Sequence, residues 1–405
     1  MMQKLYGISR RLFDENNEEI VFAKGKGAYV YDTQGKSYID MLLGYGPIIL
    51  GHGNETYARE LAKEIEYGTL FPSYGKKQYE LAEMISSKYP NHQLIALYQS
   101  GSDSLDSVFR ICRLITGKPK LIRFGYIGWH DNLLMGGFNW HEPVNSCAFY
   151  KASNNLPGIE NNQAYNWDGR SAESFEVLTK SGDVACFIFD AYQLQRQKID
   201  IESVIRICKE KGILVVLDET KTAGRVSTFG YFKDTLEYDF TILGKAISNG
   251  YPVSLLLGHH KYASVNYDTI KIAGTYARDC LCCSSILTTV RIMSQNNLYK
   301  VISDAGKAIS EKMNDCLDRV LKNKDIAVRT MLDGAILEFQ FSDQFACDFS
   351  KRKRFADILL KNGLLIQDGH CFYVSAAHAN CIEDIGIRFQ TALEEFCADK
   401  VKSCC

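Results

Sequence analysis

The sequence predicts an α/β protein built on a large, doubly wound, mainly parallel sheet, with a smaller α+β domain beside it. Three observations carry this. Short unbroken apolar runs at 184–189, 213–217 and 240–243 have the length and branching of strands buried on both faces. Ile201, Val204, Ile205 and Cys208 fall at helical spacing between two of those runs, which gives strand–helix–strand order and hence parallel pairing. From Asn297 onward the pattern changes to long helices and shorter strands.

Taken in order, residues 24–54 read KGKGAYVYDTQGKSYIDMLLGYGPIILGHGN. The alternation in AYVYD and SYIDM, broken at Thr33-Gln34-Gly35-Lys36, predicts a β-hairpin. The glycines that follow predict a tightly turned backbone. Residues 56–67 and 76–88 read as helices, with Pro72 and Gly75 in the loop between them. Residues 94–98 read as a strand and 103–116 as a helix, joined by the turn Ser100-Gly101-Ser102. A strand at 120–124 leads into an aromatic loop, Gly125 to His130. Residues 131–180 lack periodicity and read as loop-rich, with Asn154-Asn155 and Asn161-Asn162. Beyond the strand at 240–243, residues 252–257 read as a strand of less certain direction, and Ala273 to Tyr276 as a polar turn. Ile302, Ala305, Ile309, Cys316 and Val320 share a helical face; 334–341 and 372–375 read as strands, 353–361 and 382–396 as helices. The expected division is a large domain at 51–290 and a small one at 291–405, joined by the N-terminal segment 1–50.

Bulk composition excludes several classes. The 405 residues are 46% hydrophobic and 23% charged, ordinary for a globular protein. With 47 basic and 48 acidic residues the net charge is −1, which gives no electrostatic case for nucleic acid or an anionic membrane. No apolar run reaches the length of a membrane span, and residues 1–20 lack the apolar core of a signal peptide, so a cytoplasmic place is expected. The fourteen cysteines are scattered through apolar stretches and read as reduced buried thiols. Cys280 and Cys283 form a single CxxC without the second pair that a zinc site needs. The C-terminal Cys404-Cys405 lacks a polybasic neighbour and reads as a frayed tail rather than a lipidation site.

Two of the apolar runs end abruptly, one in Asp218-Glu219 and the other in Gly244-Lys245. Parallel strands deliver both ends to the same edge of the sheet, where open α/β sheets bind ligands. Taken singly, such an Asp caps the next turn and such a Lys is a solvated loop charge. Together they suit pyridoxal phosphate, which needs an amine for its Schiff base and an acid beside its pyridinium nitrogen. The Ser100–Ser102 turn opens a helix and offers backbone N–H groups and a hydroxyl to an anion. Gly244-Lys245 lacks the hydroxyl residue and upstream glycine of a P-loop.

These motifs together resemble the class III aminotransferases of pyridoxal phosphate fold type I, most nearly the glutamate-1-semialdehyde aminomutase branch, over about residues 24 to 395. SGSDS stands where that family has SGTEA, and GWHD where it has YHG. LDETKTAGR resembles DEV-x-TGFR, and GKAISNGYP resembles the lysine signature. The resemblance implies that Lys245 forms the internal aldimine and moves the substrate proton, and that Asp218 pairs with the pyridinium nitrogen. It implies that Gly101 and Ser102 hold the phosphate, that Trp129 stacks on one ring face and that Thr220 lies beneath the other. It also implies a homodimer in which Thr275 reaches the phosphate of the neighbouring subunit's cofactor.

The sequence departs from the family in four places. Trp129 replaces Tyr or Phe, Thr220 replaces Val, and Asp190-Ala191 replaces Glu-Pro. The aminomutase branch carries an SPVR-like segment that helps to bind the substrate carboxylate; here that region reads DENNEEIVFAKGKG. The expected reaction is amino-group transfer between a small-molecule amino donor and a carbonyl acceptor. An intramolecular aminomutase is the near alternative, other carbanion chemistry on the same cofactor a further one, and a non-catalytic cofactor-binding protein the alternative of another class.

Overall fold

The computed structural model describes residues 11–130, 164–197, 199–321 and 325–402. The chain opens with strands β1 (Phe22–Lys26), β2 (Tyr29–Asp32) and β3 (Ser37–Asp40), then helices α1 (Glu55–Tyr67) and α2 (Lys76–Lys88). There follow β4 (His92–Tyr98), α3 (Gly101–Thr116), β5 (Lys120–Phe124), β6 (Ala164–Asn166), α4 (Ala172–Leu178), β7 (Val184–Asp190), α5 (Ala191–Gln197) and α6 (Ile201–Glu210). Next come β8 (Leu214–Glu219), β9 (Phe240–Gly244), β10 (Ser254–His259), α7 (Cys280–Gln295) and α8 (Leu298–Val320). The chain closes with β11 (Ile326–Met331), β12 (Ile336–Phe341), α9 (Asp343–Cys347), α10 (Phe349–Lys361), β13 (Leu364–Leu365), β14 (Phe372–Tyr373) and α11 (Ile382–Lys402).

The large sheet has the order β4-β10-β9-β8-β7-β5-β6. Neighbours from β9 to β6 run parallel, and β10 is antiparallel to both β4 and β9. Every residue of β7, β8 and β9 is buried, because helices cover both faces. Side chains alternate between those faces. Leu214 and Val216 of β8 pack with Leu105, Val108 and Cys112 of α3. Val215 and Leu217 pack with Val204, Ile205 and Cys208 of α6 on the other side. The same alternation turns Asp218 toward the α3 face and Glu219 away from it. Glu219 accepts the N–H groups of Tyr231 at 2.7 Å and Phe232 at 2.9 Å. At about 1.5–3 kcal/mol per fully buried aliphatic side chain, these faces offset the cost of holding carboxylates at the strand ends.

The smaller sheets lie with the C-terminal part of the chain. β1, β2 and β3 form an antiparallel meander, and β3 pairs in parallel with β13, Ile39 opposite Leu364. β11, β12 and β14 form an antiparallel sheet. One core joins Ile39, Met41 and Leu43 to Ile302, Ile309, Leu359 and Phe389.

Some expectations change. Residues 164–180 are not loop: they hold β6 and α4, a helix capped by Ser171 and fastened by Phe175 against Trp167, ring centroids 5.4 Å apart. A helix that short carries too few apolar positions to show a period. Strand β11 was also not anticipated. Helix α3 begins at Gly101 and α11 extends to Lys402. The Asn154-Asn155, Asn161-Asn162 and Cys404-Cys405 pairs lie outside the described residues. Cys280 and Cys283 both sit on α7 as buried free thiols.

Candidate active site

Asp218, the last residue but one of β8, is only 4% exposed, and its Oδ1 accepts the Thr220 N–H at 2.9 Å. The β7–β8 register sets Asp190 directly beside it. Asp190, also buried, accepts the Tyr192 N–H at 3.0 Å. Burial pushes Asp218 up to about 7, and the Asp190 charge adds to this against the pull of Thr220 and Lys245. Burial likewise raises Asp190, against the nearby Lys221.

Lys245 follows the last residue of β9 with φ +51°, a left-handed conformation that non-glycine residues seldom adopt. Its side chain is partly buried and makes no hydrogen bond among the described residues. Its amine is lowered to about 8, first by burial and then by the cations Lys221 and Arg225, with Asp190 and Asp218 opposing. An amine held there is largely neutral in mildly alkaline water and therefore nucleophilic.

The turn into α3 forms the third part of the site. Ser100 caps the helix by accepting the Asp103 N–H at 3.3 Å, and Asp103 accepts the Ser100 N–H at 3.1 Å in return. The N–H groups of Gly101 and Ser102 then stand at the helix mouth without partners among the described residues. Thr220 wedges between this turn and the lysine turn. A Cβ on Gly101 would lie 3.0 Å from its Cγ2, and one on Gly244 3.1 Å from the same atom. The Thr220 hydroxyl is buried without a hydrogen-bond partner. The Trp129 N–H donates to Ser102 Oγ at 3.2 Å, while its indole is 62% exposed.

The structure thus brings together Gly101, Ser102, Trp129, Asp218, Thr220 and Lys245. Thr275 stands apart. It is exposed at the start of a short 3₁₀ turn, Thr275–Arg278, and no hydrogen bond joins it to the other six. That turn is tied to the end of β4, where Gln99 Nε2 donates to the Tyr276 carbonyl at 3.2 Å.

Sequence reasoning passed over the other polar groups here. Lys221 and Arg225 sit inside the quoted LDETKTAGR motif, and their position was the available signal. Arg225 is fully buried, with Nε on the Lys221 carbonyl and Nη2 on the Gly46 carbonyl, both at 2.7 Å. Its guanidinium lies 4.5 Å from the centre of the Tyr373 ring. Tyr373 and Cys371 come from the distant β14 segment, and no local pattern points to them.

A mainly parallel sheet with a buried acid and a partly buried amine at its carboxyl edge, beside a bare helix N-terminus, defines the fold type I class of transferases. More narrowly, the chain matches the family described as Aminotransferase class-III over residues 12–395, and it belongs to that family. It is similar to the glutamate-1-semialdehyde 2,1-aminomutase of Methanobrevibacter smithii, 26% identical over 89% of this chain and 88% of the relative. Among solved structures it resembles a transaminase with PLP bound, at TM-score 0.82 and 21% identity over 97% of this chain and 95% of that one. It also resembles a glutamate-1-semialdehyde aminomutase from Pseudomonas aeruginosa PAO1, at TM-score 0.76 and 18% identity over 94% and 88%.

Proposed function

We propose that this enzyme transfers an amino group from a small-molecule amino donor to a carbonyl acceptor, using pyridoxal phosphate held at Lys245. The observation that carries the reading is the pair of Asp218 and Lys245 at one sheet edge, the amine lowered to about 8 and the acid buried. The residues present fit the cofactor. Gly101 and Ser102 offer unspent N–H groups to a phosphate, and the Thr220 hydroxyl has a buried donor and no acceptor. Bound there, pyridoxal phosphate supplies an electron sink for the negative charge left when a proton departs from the substrate carbon. Asp218 holds the proton on the ring nitrogen, and a cation beside it draws the acid back to its ionised form. Lys245 Nζ takes the proton from the substrate carbon and returns it. Trp129 covers one ring face.

The same reading includes a cytoplasmic homodimer in which Thr275 serves the partner's site. No helix among the described residues is long and apolar enough to cross a membrane. It also includes a large domain at 51–290 and a small one from 1–50 with 291–405, supported by the β3–β13 pairing and their shared core. An intramolecular aminomutase is the second reading, favoured by the name of the sequence relatives.

Borohydride treatment of the loaded protein should fix a pyridoxyl group on Lys245, read by peptide mass spectrometry; the label on another lysine overturns the assignment. An amino donor mixed with stoichiometric loaded enzyme and no acceptor should release one equivalent of carbonyl product. Isomerised product without released carbonyl would favour the aminomutase.

A further inference from the structure

Lys221 stands three residues beyond Asp218, on the turn that leaves β8, and is only 8% exposed. Its ammonium rests against the face of Tyr192, 3.8 Å from the ring centre. No hydrogen bond or ion pair joins that ammonium to any described residue. A lysine head group carries three donors, and a ring face satisfies the charge but not the donors. Burying an ammonium in this state is unfavourable unless an acceptor arrives.

The groups around it show where that acceptor would lie. Asp190 comes from β7, Tyr192 from α5, Lys245 from the turn after β9, Arg225 from its own turn, and Cys371 and Tyr373 from the β14 segment. Lys221 is the largest charge acting on Lys245 and the largest opposing the rise of Asp190. Its ammonium also meets the ring of Tyr192, whose N–H donates to Asp190, and Asp190 stands opposite Asp218, so the amine lies on the sheet edge that carries both acids. Burial alone would raise the Cys371 thiol, but Lys221 and then His370 outweigh it and hold the thiol at about 5. Arg225 has less to offer a ligand, since two of its nitrogens are spent on the carbonyls of Lys221 and Gly46. Arg225 keeps only Nη1 unspent, buried without a partner, whereas the whole Lys221 head group is unspent among the described residues.

We propose that Lys221 is a positioning residue whose ammonium receives an anionic oxygen of the bound ligand, either the ring phenolate of the cofactor or the carboxylate of the amino substrate. The proposal rests on the pyridoxal phosphate reading above.

The test uses the full chain loaded with pyridoxal phosphate. Lys221→Met and Lys221→Gln remove the charge at similar length, and Lys221→Arg keeps it. The absorbance of the chromophore that Lys245 makes with the cofactor is followed against pH without substrate. A cation beside the ring disfavours the form carrying the extra proton. If the oxygen is the phenolate, both neutral variants should raise the apparent pKa of the chromophore by about one unit or more, with Lys221→Arg close to wild type. If it is the carboxylate, the chromophore titrates as in wild type, and the preference for L-alanine over ethylamine, read from the spectral change each causes, falls about tenfold. Neutral variants that match wild type in both readouts overturn the proposal. A wild-type protein that forms no chromophore at all refutes the cofactor reading instead.

Discussion

At Asp218, burial and the neighbouring Asp190 act in the same direction and push the acid up to about 7 from an ordinary value of 3.8. Within that window the folded chain keeps a proton that the unfolded chain has released. Stability therefore falls as pH rises through it, and the full penalty, on the order of 4 kcal/mol, is present above the folded value. Lys245 works the other way at higher pH. The fold holds its amine at about 8 against an ordinary 10.5, so between those values the unfolded chain binds the extra proton and stability recovers as pH rises. The cofactor-free protein should be least stable where the two windows meet. In urea unfolding, wild type should lose a few kcal/mol between about pH 5 and about pH 7.5, and Asp218→Asn should lose most of that slope. The same variant should be nearly inactive when loaded, because a neutral amide holds the ring proton poorly. An unchanged slope in Asp218→Asn would mean that the strain lies in another acid of the site.

At the scale of single elements, helix α3 ties the fold to the site. Its capping box fixes the direction in which the Gly101 and Ser102 N–H groups point. Ser100→Ala should cost about 1 kcal/mol of stability and weaken cofactor binding several-fold, measured by chemical denaturation and by equilibrium titration with pyridoxal phosphate. A loss of stability with unchanged affinity would show that the turn keeps its shape without the cap. The elements legible in the sequence were those with a strong period or a sharp end. The runs at 213–217 and 240–243 emerged as β8 and β9 nearly as read, because both faces of each strand are covered and apolar residues are continuous. Their polar ends gave Asp218 and Lys245. Lys221 lay in plain view beside Asp218, yet a lysine on a turn reads as solvated until the rings and thiol that enclose it are placed. Cys371 and Tyr373 reach the site only because the C-terminal part of the chain packs back against it, and sequence spacing holds no trace of that. Helix α4 and strand β11 were missed for want of length or of alternation strong enough to register.

At the scale of the whole molecule, the turn that carries Thr275 lies at an exposed surface. Thr275 is exposed, as are Tyr276 beside it at 60% and, on the segment before α2, Tyr74 at 66% and Tyr67 at 78%. Local hydrogen bonds join these segments. Arg278 donates to the Pro72 carbonyl at 2.5 Å, Gln78 to the Arg278 carbonyl at 2.6 Å, and the Cys280 N–H to the Thr69 carbonyl at 2.8 Å. These bonds tie the turn at 275–278 to the loop at 69–75, and exposed tyrosines on a fixed surface are of the kind that a partner covers. In the proposed homodimer a second copy would cover this surface and give the exposed Thr275 hydroxyl a partner. Sedimentation of wild type should give a dimer. Tyr74→Glu combined with Tyr276→Glu should shift it to monomer, because burying two carboxylates against an apolar partner costs more than such an interface returns. The monomer should bind pyridoxal phosphate more weakly than the dimer. Thr275→Ala should remain dimeric and lose roughly ten- to a hundredfold in cofactor affinity, the worth of one hydrogen bond to a charged group. The two variants separate assembly from contact: affinity lost with the dimer intact assigns the effect to the hydroxyl. A wild-type chain that sediments as a fully active monomer would remove both the dimer and the role of Thr275.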